Sequence, residues 1–381
     1  MAWTLAVATA SLAGACSSEA GDEPLDQSRI TLVNAPLPVR EDAASGAATG
    51  LAPRTLESEG ATFTYVASVD APKFQGKTVQ ATNFAFDRDW AFVVYNTAGP
   101  DIRGGIDVLD LSKPSQPKLV ASIISEEQEF ADIAVLGDFA YAVGATPRGA
   151  TLKVFDVANP KRLVERGSLD LPAHYATSIS LETANDAWVT TGTNGGLVHV
   201  DVSDAAHPAI AVSYPIPNAL YVLPMEGAHL VLGGDPALAV HREKDGDLAS
   251  VASVSPTFVE APGRLARRDH RLFTNAGLTG LTQMDVSSDG REVTVSGHAS
   301  LAGTGNGIDA TSSYLFLAQG EAGAFVRSFH GNDPPEPVGR FDFPDDRGSA
   351  NQVRAGKNGG TKTSVFLGDG LGGFRIVQFQ E

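Results

Sequence analysis

Residues Gly104–Ile123 read GGIDVLDLSKPSQPKLVASI, and they decide the fold because much of the remaining chain repeats them. Ile106–Leu109 and Leu119–Ile123 are rich in apolar and β-branched residues that favour strands. Between them lie two prolines, which cannot donate to a β-ladder and therefore mark a turn. Asp110 and Ser112 can accept hydrogen bonds from backbone N–H groups of that turn. The stretch predicts a β-hairpin with a capped turn.

The same pattern recurs along the chain in copies that diverge to different degrees. The copies are Leu152–Leu169, Gly196–Tyr214, Leu238–Val254, Leu281–Gly297, Ala324–Phe341 and the half copy Gly373–Phe379. Residues equivalent to Asp110 recur at steps of 40 to 50 residues, namely Asp156, Asp201, His241, Asp285, Ser328 and Gln378. A period of about 40–50 residues with several short strands per unit is typical of propeller blades.

Each repeat also has an earlier half that predicts two further strands. In the second repeat these are Ala131–Leu136 and Phe139–Val143, joined by a Gly-Asp turn. In the fifth repeat the prediction is Phe258–Glu260 paired with Arg271–Thr274, which makes the basic stretch Arg264–Arg271 an exposed hairpin turn. The alternative interpretation of this stretch is a docking patch. Four antiparallel strands per repeat, seven times over, predict an all-β protein, a seven-bladed β-propeller.

The two ends of the repeat region complement one another. Phe63–Val69 matches the last strand of the repeat, whereas the chain stops at Glu381, after a third-strand match. We therefore expect the N-terminal strand to pair in the last blade and close the ring, which removes an exposed sheet edge. The predicted propeller spans residues 62–381. Residues 17–61 lack apolar periodicity and predict a disordered tether, in which Ile30–Val33 could form a brief strand.

The N-terminal segment, residues 1–16, predicts a signal peptide. Ala2–Leu12 is apolar but too short to span a bilayer, and Cys16, the single cysteine, follows small residues. The segment resembles the signal peptide of a bacterial lipoprotein, with Cys16 as the lipidated residue; the alternative is an ordinary secretory signal with an incidental cysteine. The resemblance implies an outer-membrane lipoprotein of the cell envelope, facing the periplasm or the surface, that touches the membrane only through its lipid anchor.

The repeat itself resembles the LVIVD family of bacterial surface-associated propeller repeats. The resemblance rests on a glycine-led apolar strand followed by Asp-x-Ser, prolines and a second apolar strand, as in Gly104–Ile123 and Gly195–Tyr214. It implies a secreted or envelope-located propeller and no particular activity.

The recurring aspartates Asp110, Asp156, Asp201 and Asp285 allow two interpretations. They could form a ring of carboxylates, or they could cap the equivalent turn in each blade. A residue that every blade requires usually serves the blade, so we expect structural turn caps.

Non-repeating polar residues are the better candidates for a functional face. We expect the connections between blades to lie around one end of the central channel. We also expect the side chains of Asp132 and Asp309 to face the channel. The candidate residues are Glu126, Glu127, Glu129, Asp132, His174, Asn218, Asn306, Asp309 and Asn351. The acidic members and His174 could form an oxygen-rich site for Ca²⁺ or another divalent cation, although a solvated acidic loop is the simpler interpretation.

The composition and the absence of known catalytic motifs argue against several classes of function. The net charge of −17 argues against binding to nucleic acid or anionic membranes. No P-loop, Gly-x-Ser-x-Gly or His-Glu-x-x-His pattern occurs, so no catalytic residue and no required cofactor is predicted. The sequence favours a monomeric scaffold that binds a protein, peptide or glycan partner. The alternative is a metal-dependent, lactonase-like envelope hydrolase with its site at the channel mouth.

Overall fold

The computed structural model describes residues 25–40, 61–97, 99, 101–225, 228–233, 238–244, 247–254, 263–278, 280–287, 291–330, 334–344, 348–357 and 362–381. The predicted signal peptide with Cys16 lies outside the described residues, as do residues 17–24 and 41–60 of the expected tether. Within the described ranges, no helix has the length and apolar character needed to cross a bilayer.

The first element of the described chain is a short 3-10 helix, Gln27–Arg29, which leads into strand β1 (Ile30–Leu37). Strand β2 (Thr62–Val69) follows, and then a small hairpin of β3 (Lys73–Phe74) and β4 (Lys77–Thr78). All later elements are strands that follow the repeat of the sequence.

Six four-stranded antiparallel sheets, blades 1 to 6, come next in the described residues. Blade 1 comprises β5 (Gln80–Asp87), β6 (Trp90–Asn96), β7 (Gly104–Asp110) and β8 (Lys118–Ser125). Blade 2 comprises β9 (Glu129–Leu136), β10 (Phe139–Thr146), β11 (Gly149–Asp156) and β12 (Val164–Asp170). Blade 3 comprises β13 (Ser178–Leu181), β14 (Asp186–Thr190), β15 (Leu197–Asp201) and β16 (Ala209–Tyr214).

The second half of the ring has the same organisation. Blade 4 comprises β17 (Ala219–Met225), β18 (Ala228–Gly233), β19 (Leu238–Lys244) and β20 (Asp247–Val254). Blade 5 comprises β21 (Gly263–Arg268), β22 (Arg271–Ala276), β23 (Gly280–Val286) and β24 (Val293–Ala299). Blade 6 comprises β25 (Gly307–Ala310), β26 (Tyr314–Ala318), β27 (Ala324–Ser328) and β28 (Glu336–Phe341).

A five-stranded sheet, the closing sheet, joins the two ends of the ring. It adds β29 (Gln352–Lys357), β30 (Thr363–Gly368) and β31 (Phe374–Gln380), in the strand order β1-β2-β31-β30-β29. Tyr65 pairs with Val377 and Ala67 with Ile376, so the N-terminal strand closes the ring as expected. The predicted count of seven four-stranded blades is wrong, because the described residues form six such blades and β1 enlarges the closing sheet.

A β-bulge recurs between the third and fourth strand of every sheet. Blade 1 has it between Val108 and Leu109, and the closing sheet has it between Tyr65 and Ala67 of β2. The shared bulge shows that β2 occupies the fourth-strand position, although it comes first in the chain. A bulge increases the local twist of a strand pair, which suits the strongly twisted blades of a propeller.

Apolar side chains fill the space between neighbouring sheets around the whole ring. Phe92 and Val108 of blade 1 pack with Phe130 of blade 2, and Phe316 of blade 6 packs with Val365 of the closing sheet. Strands buried on both faces need apolar residues in continuous runs, which explains sequences such as Ala91–Tyr95. No blade covers its own faces, so the ring is stable only as a unit.

The expected tether is wrong for residues 25–40, which pack along the outside of the ring. Arg29 forms an ion pair with the buried Asp107 of blade 1, and its Nε donates to the Asp70 carbonyl at 2.8 Å. At the other end of the segment, Arg40 forms a backbone bridge with Arg340 of blade 6. Pro36 is tolerated because β1 is an edge strand, and this mostly exposed strand has little of the apolar periodicity that identifies a buried one.

Candidate functional site

The innermost strand of each sheet faces the channel, and these strands run in parallel. Thr82 Oγ1 donates to the Phe130 carbonyl at 3.0 Å, and Ser180 Oγ donates to the Val222 carbonyl at 2.8 Å. Between the closing sheet and blade 1, Asn351 Nδ2 donates to the Ala81 carbonyl at 2.9 Å. We call the end at which the chain arrives from the preceding blade the connection end. The other end, at which each inner strand turns into its second strand, is the turn end.

Asp132 lies at the centre of a hydrogen-bond network between blades. Its side chain is buried, and its Oδ1 accepts from Asn83 Nδ2 of blade 1 and from the Ile133 backbone N–H at 2.8 Å. Its Oδ2 accepts from the Ile179 N–H at 3.1 Å and from Arg264 Nη1 at 2.7 Å. The carboxylate therefore has partners on both oxygens, as a buried charge requires.

Arg264 crosses the channel to reach Asp132. The two residues belong to blades 5 and 2, which are not neighbours in the ring, and both side chains are nearly inaccessible. Burial opposes the charge of the guanidinium, but Asp132 and Tyr221 outweigh it and hold the pKa of Arg264 above its usual range. The guanidinium carbon also lies 5.0 Å from the centre of the Tyr221 ring, a cation–π contact. The pair forms a plug across the channel.

An open cavity of about 730 Å³ lies on the turn-end side of this plug. Five blades and the closing sheet line it, through Ala85, Asp132, Ile133, Ala134, Ile179, Ser180, Leu181, Glu182, Tyr221, Leu223, Pro224, Met225, Arg264, Arg267 and Arg354. Arg354 Nη1 lies 3.6 Å from Asp309 Oδ1, while Arg267 is exposed and its Nε donates to the Asp269 carbonyl at 2.7 Å. Glu182 accepts a hydrogen bond from Trp188 Nε1 at 2.8 Å.

The connection end of the channel carries a different group of side chains. Glu129 is buried, and this burial raises the pKa of its carboxyl to about 7. Burial, followed by the nearby Glu129, raises the pKa of Tyr175 to about 12. Asn96 Nδ2 lies 3.3 Å from the Tyr175 hydroxyl, and Gln80 Nε2 donates to Asn96 Oδ1 at 2.8 Å. This end therefore holds a half-buried polar cluster with a protonatable carboxyl.

The structure separates the residues that the sequence proposed as one site. Glu126, Glu127, His174 and Asn218 are exposed on the connections. Asn306 and Asn351 join neighbouring sheets at the connection end, and Asn306 Nδ2 donates to the Ala350 carbonyl at 3.2 Å. Only Asp132 of the proposed set lines the cavity, and Asp309 adjoins it through Arg354. Among the described residues, no three His, Cys, Asp or Glu side chains are grouped so that they could hold a metal ion.

The recurring aspartates lie at the turns after the third strands, at the turn end. Oδ1 of Asp110 accepts from the N–H of Ser112 at 2.9 Å. Asp156 and Asp201 do the same with the N–H groups of the residues two positions later, at 3.0 and 2.9 Å. Asp285 lies 3.8 Å from Arg271 Nε, and the turn residues 288–290 that follow it are outside the described part of the chain.

Sequence reasoning noticed the basic stretch Arg264–Arg271 but did not place its arginines at the cavity. The prediction that Arg264–Arg271 is a hairpin turn is wrong, because the inner strand of blade 5 is Gly263–Arg268 and the turn is only Asp269 and His270. The positive φ of 57° at Asp269 permits that tight turn, and aspartate tolerates this conformation. The useful signal was the composition of Gly263–Arg268, which places three arginines on one inner strand.

These features define a class of protein, a closed β-propeller of antiparallel blades around a plugged channel. The family model of the LVIVD repeat matches residues 100–124, 130–170 and 187–215, which fall in blades 1 to 3. The protein is therefore a β-propeller that contains LVIVD repeats, which confirms the resemblance seen in the sequence. No curated protein matches the chain.

Many solved structures share the fold at low sequence identity. One is a protein from Lactobacillus plantarum, 16% identical over 78% of this chain and 98% of that chain, with a TM-score of 0.56. The periplasmic gluconolactonase of Pseudomonas aeruginosa is 11% identical over 80% of this chain and 94% of its own, with a TM-score of 0.57. The WD40 domain of Toxoplasma gondii coronin is 11% identical over 91% of this chain and 89% of its own, with a TM-score of 0.57. Identities this low establish similarity of fold alone.

Proposed function

We propose that the protein is a non-enzymatic binding scaffold of the bacterial cell envelope. It is monomeric, is anchored by a lipid on Cys16, does not bind nucleic acid, and binds a protein, peptide or glycan partner. Propellers present a rigid ring, and an open, well-formed cavity lined by several elements is the usual place for a binding site. The cavity at the turn end meets this description.

The observation that carries the proposal is that the carboxylates around the cavity already accept hydrogen bonds from the protein. Asp132 has hydrogen-bond donors on both oxygens, and Glu182 accepts from Trp188. A carboxylate that acts as a general base or as a metal ligand needs an oxygen that can reach the substrate or the ion. Asp132 instead stabilises the ring, and one oxygen of Glu182 is engaged within blade 3, which leaves the arginines and the apolar side chains for contacts with a partner.

A second candidate function is a metal-dependent, lactonase-like hydrolase that uses Ca²⁺ or another divalent cation. Two observations favour it: one structural neighbour is a gluconolactonase, and Glu129 has a pKa of about 7, which suits a general base. Glu129, however, faces the connection end and is separated from the cavity by the Asp132–Arg264 plug. We rank this candidate second.

The scaffold proposal is tested by photo-crosslinking in cells. A photoreactive amino acid replaces Leu223 in the cavity, and the matched control replaces Val251, which is 39% exposed on the outer strand of the same blade. We expect a discrete crosslinked partner from the cavity position and none from the control. The same products from both positions, or none from the cavity, would contradict the proposal.

Metal analysis of the purified protein separates the two candidate functions. We expect less than stoichiometric divalent metal after dialysis. A stoichiometric metal that is retained by the native protein and lost after Glu129→Gln would favour the hydrolase over the scaffold.

The anchor is tested separately by metabolic labelling with a fatty acid. The native chain should incorporate the label and fractionate with membranes, and Cys16→Ser should do neither. A Cys16→Ser variant that still carries the label would refute the assignment of Cys16.

A further inference from the structure

We infer that the cavity at the turn end takes an acidic, extended segment of a partner polypeptide, whose carboxylate binds between Arg267 and Arg354. This inference rests on the proposed function and specifies the chemistry of its ligand. Three observations carry it: the charge of the cavity, the nature of its walls, and the backbone edge of an inner strand.

The lining of the cavity is rich in arginine, although the chain as a whole is acidic. Three arginines line it against two carboxylates, in a protein whose net charge is −17. Arg264 is paired with Asp132 at 2.7 Å, whereas Arg354 is 3.6 Å from Asp309 and 36% exposed. Arg267 is exposed, and within the described residues no carboxylate lies within ion-pair distance of it. Two guanidiniums can therefore accommodate a carboxylate from solution, and guanidinium forks bind carboxylates well.

The walls of the cavity favour a peptide over a sugar. Aliphatic side chains supply much of the lining, including Ile179, Leu223 and Met225. Tyr221 is the aromatic residue of the lining, and the Arg264 guanidinium lies over its ring. A hydroxyl-rich sugar needs many hydrogen-bonding groups and a flat apolar face, whereas an acidic peptide also carries apolar side chains that such walls can bury.

The inner strands add hydrogen-bonding groups of a kind that peptides use. Strand β21 lies at the end of its sheet, so it has a backbone edge that faces the channel and is not paired within that sheet, whereas the edge of β17 already bonds to blade 3 through the Val222 carbonyl. Exposed strand edges bind extended peptides through main-chain hydrogen bonds. A volume of about 730 Å³ is in the range of small-ligand pockets, so the occupant is a short segment and not a folded domain.

The test is fluorescence anisotropy with the purified full-length protein. The probe is a labelled hexapeptide of alternating glutamate and leucine, and the matched control peptide has glutamine in place of glutamate. We expect the acidic peptide to bind at least about tenfold more tightly than the neutral one, with an affinity that falls as salt is added. Equal affinities for the two peptides would overturn the inference.

Substitutions test whether the proposed arginines bind the acidic peptide. Arg267→Gln should remove most of the preference for the acidic peptide, and Arg267→Lys should restore part of it. Arg148→Gln is the matched control, because Arg148 is exposed and its weak pair with Asp170 at 3.4 Å lies at the connection end. Melting curves verify that the variants fold. An Arg267→Gln variant that keeps the full preference would overturn the inference.

A small dicarboxylate distinguishes a peptide ligand from a free acid. Glutarate should compete only weakly with the acidic peptide, because it lacks the backbone and the apolar side chains. Glutarate binding as tight as that of the peptide would overturn the peptide assignment. If no peptide binds while crosslinking from Leu223 still yields a partner, this inference fails and the scaffold function stands; if neither occurs, both fail.

Discussion

At the turn end of the channel, Arg264, Arg267 and Arg354 line an open cavity, whereas at the connection end the buried Glu129 and the half-buried Tyr175 belong to a polar cluster. The two ends also differ in regularity. The turn end has repeated, aspartate-capped turns outside the cavity, while the connection end has loops that differ from blade to blade. In a ring of repeats, distinct functional groups therefore occur where the sequences of the copies diverge.

The plug between Asp132 and Arg264 keeps the two ends apart. It joins blades that do not touch as neighbours, and it neutralises a buried carboxylate at the middle of the channel. If the plug holds the ring together, its loss should affect the whole molecule, whereas changes at either end should stay local. Substitutions at the plug and at each end of the channel distinguish these two outcomes.

The largest effect is expected from Arg264→Ala. The substitution leaves Asp132 buried without its cationic partner, and removing one member of a buried pair costs about 3–5 kcal/mol of unfolding free energy. Urea denaturation followed by circular dichroism measures the loss. The double variant Asp132→Asn, Arg264→Met should recover part of it, because no uncompensated charge then remains. A loss below about 1 kcal/mol would show that the plug does not hold the ring together.

A smaller, pH-dependent effect is expected from Glu129→Gln at the connection end. The pKa of Glu129 is raised from 4.5 to about 7 in the folded protein, so the folded state retains a proton that the unfolded state releases. The stability that this proton contributes is fully present below pH 4.5 and is lost as the pH rises through about 7. The native protein should therefore become less stable over this window.

Glu129→Gln should flatten this dependence and raise the unfolding free energy at pH 8 by about 1–3 kcal/mol. Denaturation curves at several pH values measure it. The control is Glu127→Gln, which changes an exposed carboxyl on the same connection and should leave the profile unchanged. Parallel profiles for native protein and Glu129→Gln would contradict the raised pKa.

The fold was largely predictable because its signals are local. The apolar strands and proline-containing turn of Gly104–Ile123 recur with a period that defines blades, and Phe63–Val69 matched the missing outer strand. Strand β1 was predicted only as a brief strand at Ile30–Val33 within a disordered tether, because an edge strand with Pro36 and few buried side chains has little periodicity. The number of strands in the closing sheet depended on that segment.

The site was less predictable because it depends on long-range contacts. Asp132 was predicted to lie beside the channel from its position in an inner strand, but its partner Arg264 is 132 residues away. Only the closed ring brings blades 2 and 5 to face each other across the channel. The inner strand of blade 5 was also misplaced, because this repeat has diverged, and the arginines were thereby assigned to a surface turn.

The smallest effect is expected from Asp156→Ala. This substitution tests whether the repeated aspartates contribute to stability alone and not to binding in the cavity. Hydrogen bonds from Arg166, together with the Ala158 N–H at 3.0 Å, lower the pKa of Asp156. The stabilisation is therefore present above the unfolded pKa of 3.8 and is lost as the pH falls below it. We expect Asp156→Ala to lower the unfolding free energy by about 0.5–1 kcal/mol at pH 7, because the carboxylate is partly exposed. Thermal melts at pH 7 and pH 3 should show the difference shrinking in acid, while binding of the acidic peptide at pH 7 stays unchanged. A loss of peptide binding would mean that these aspartates belong to the site after all.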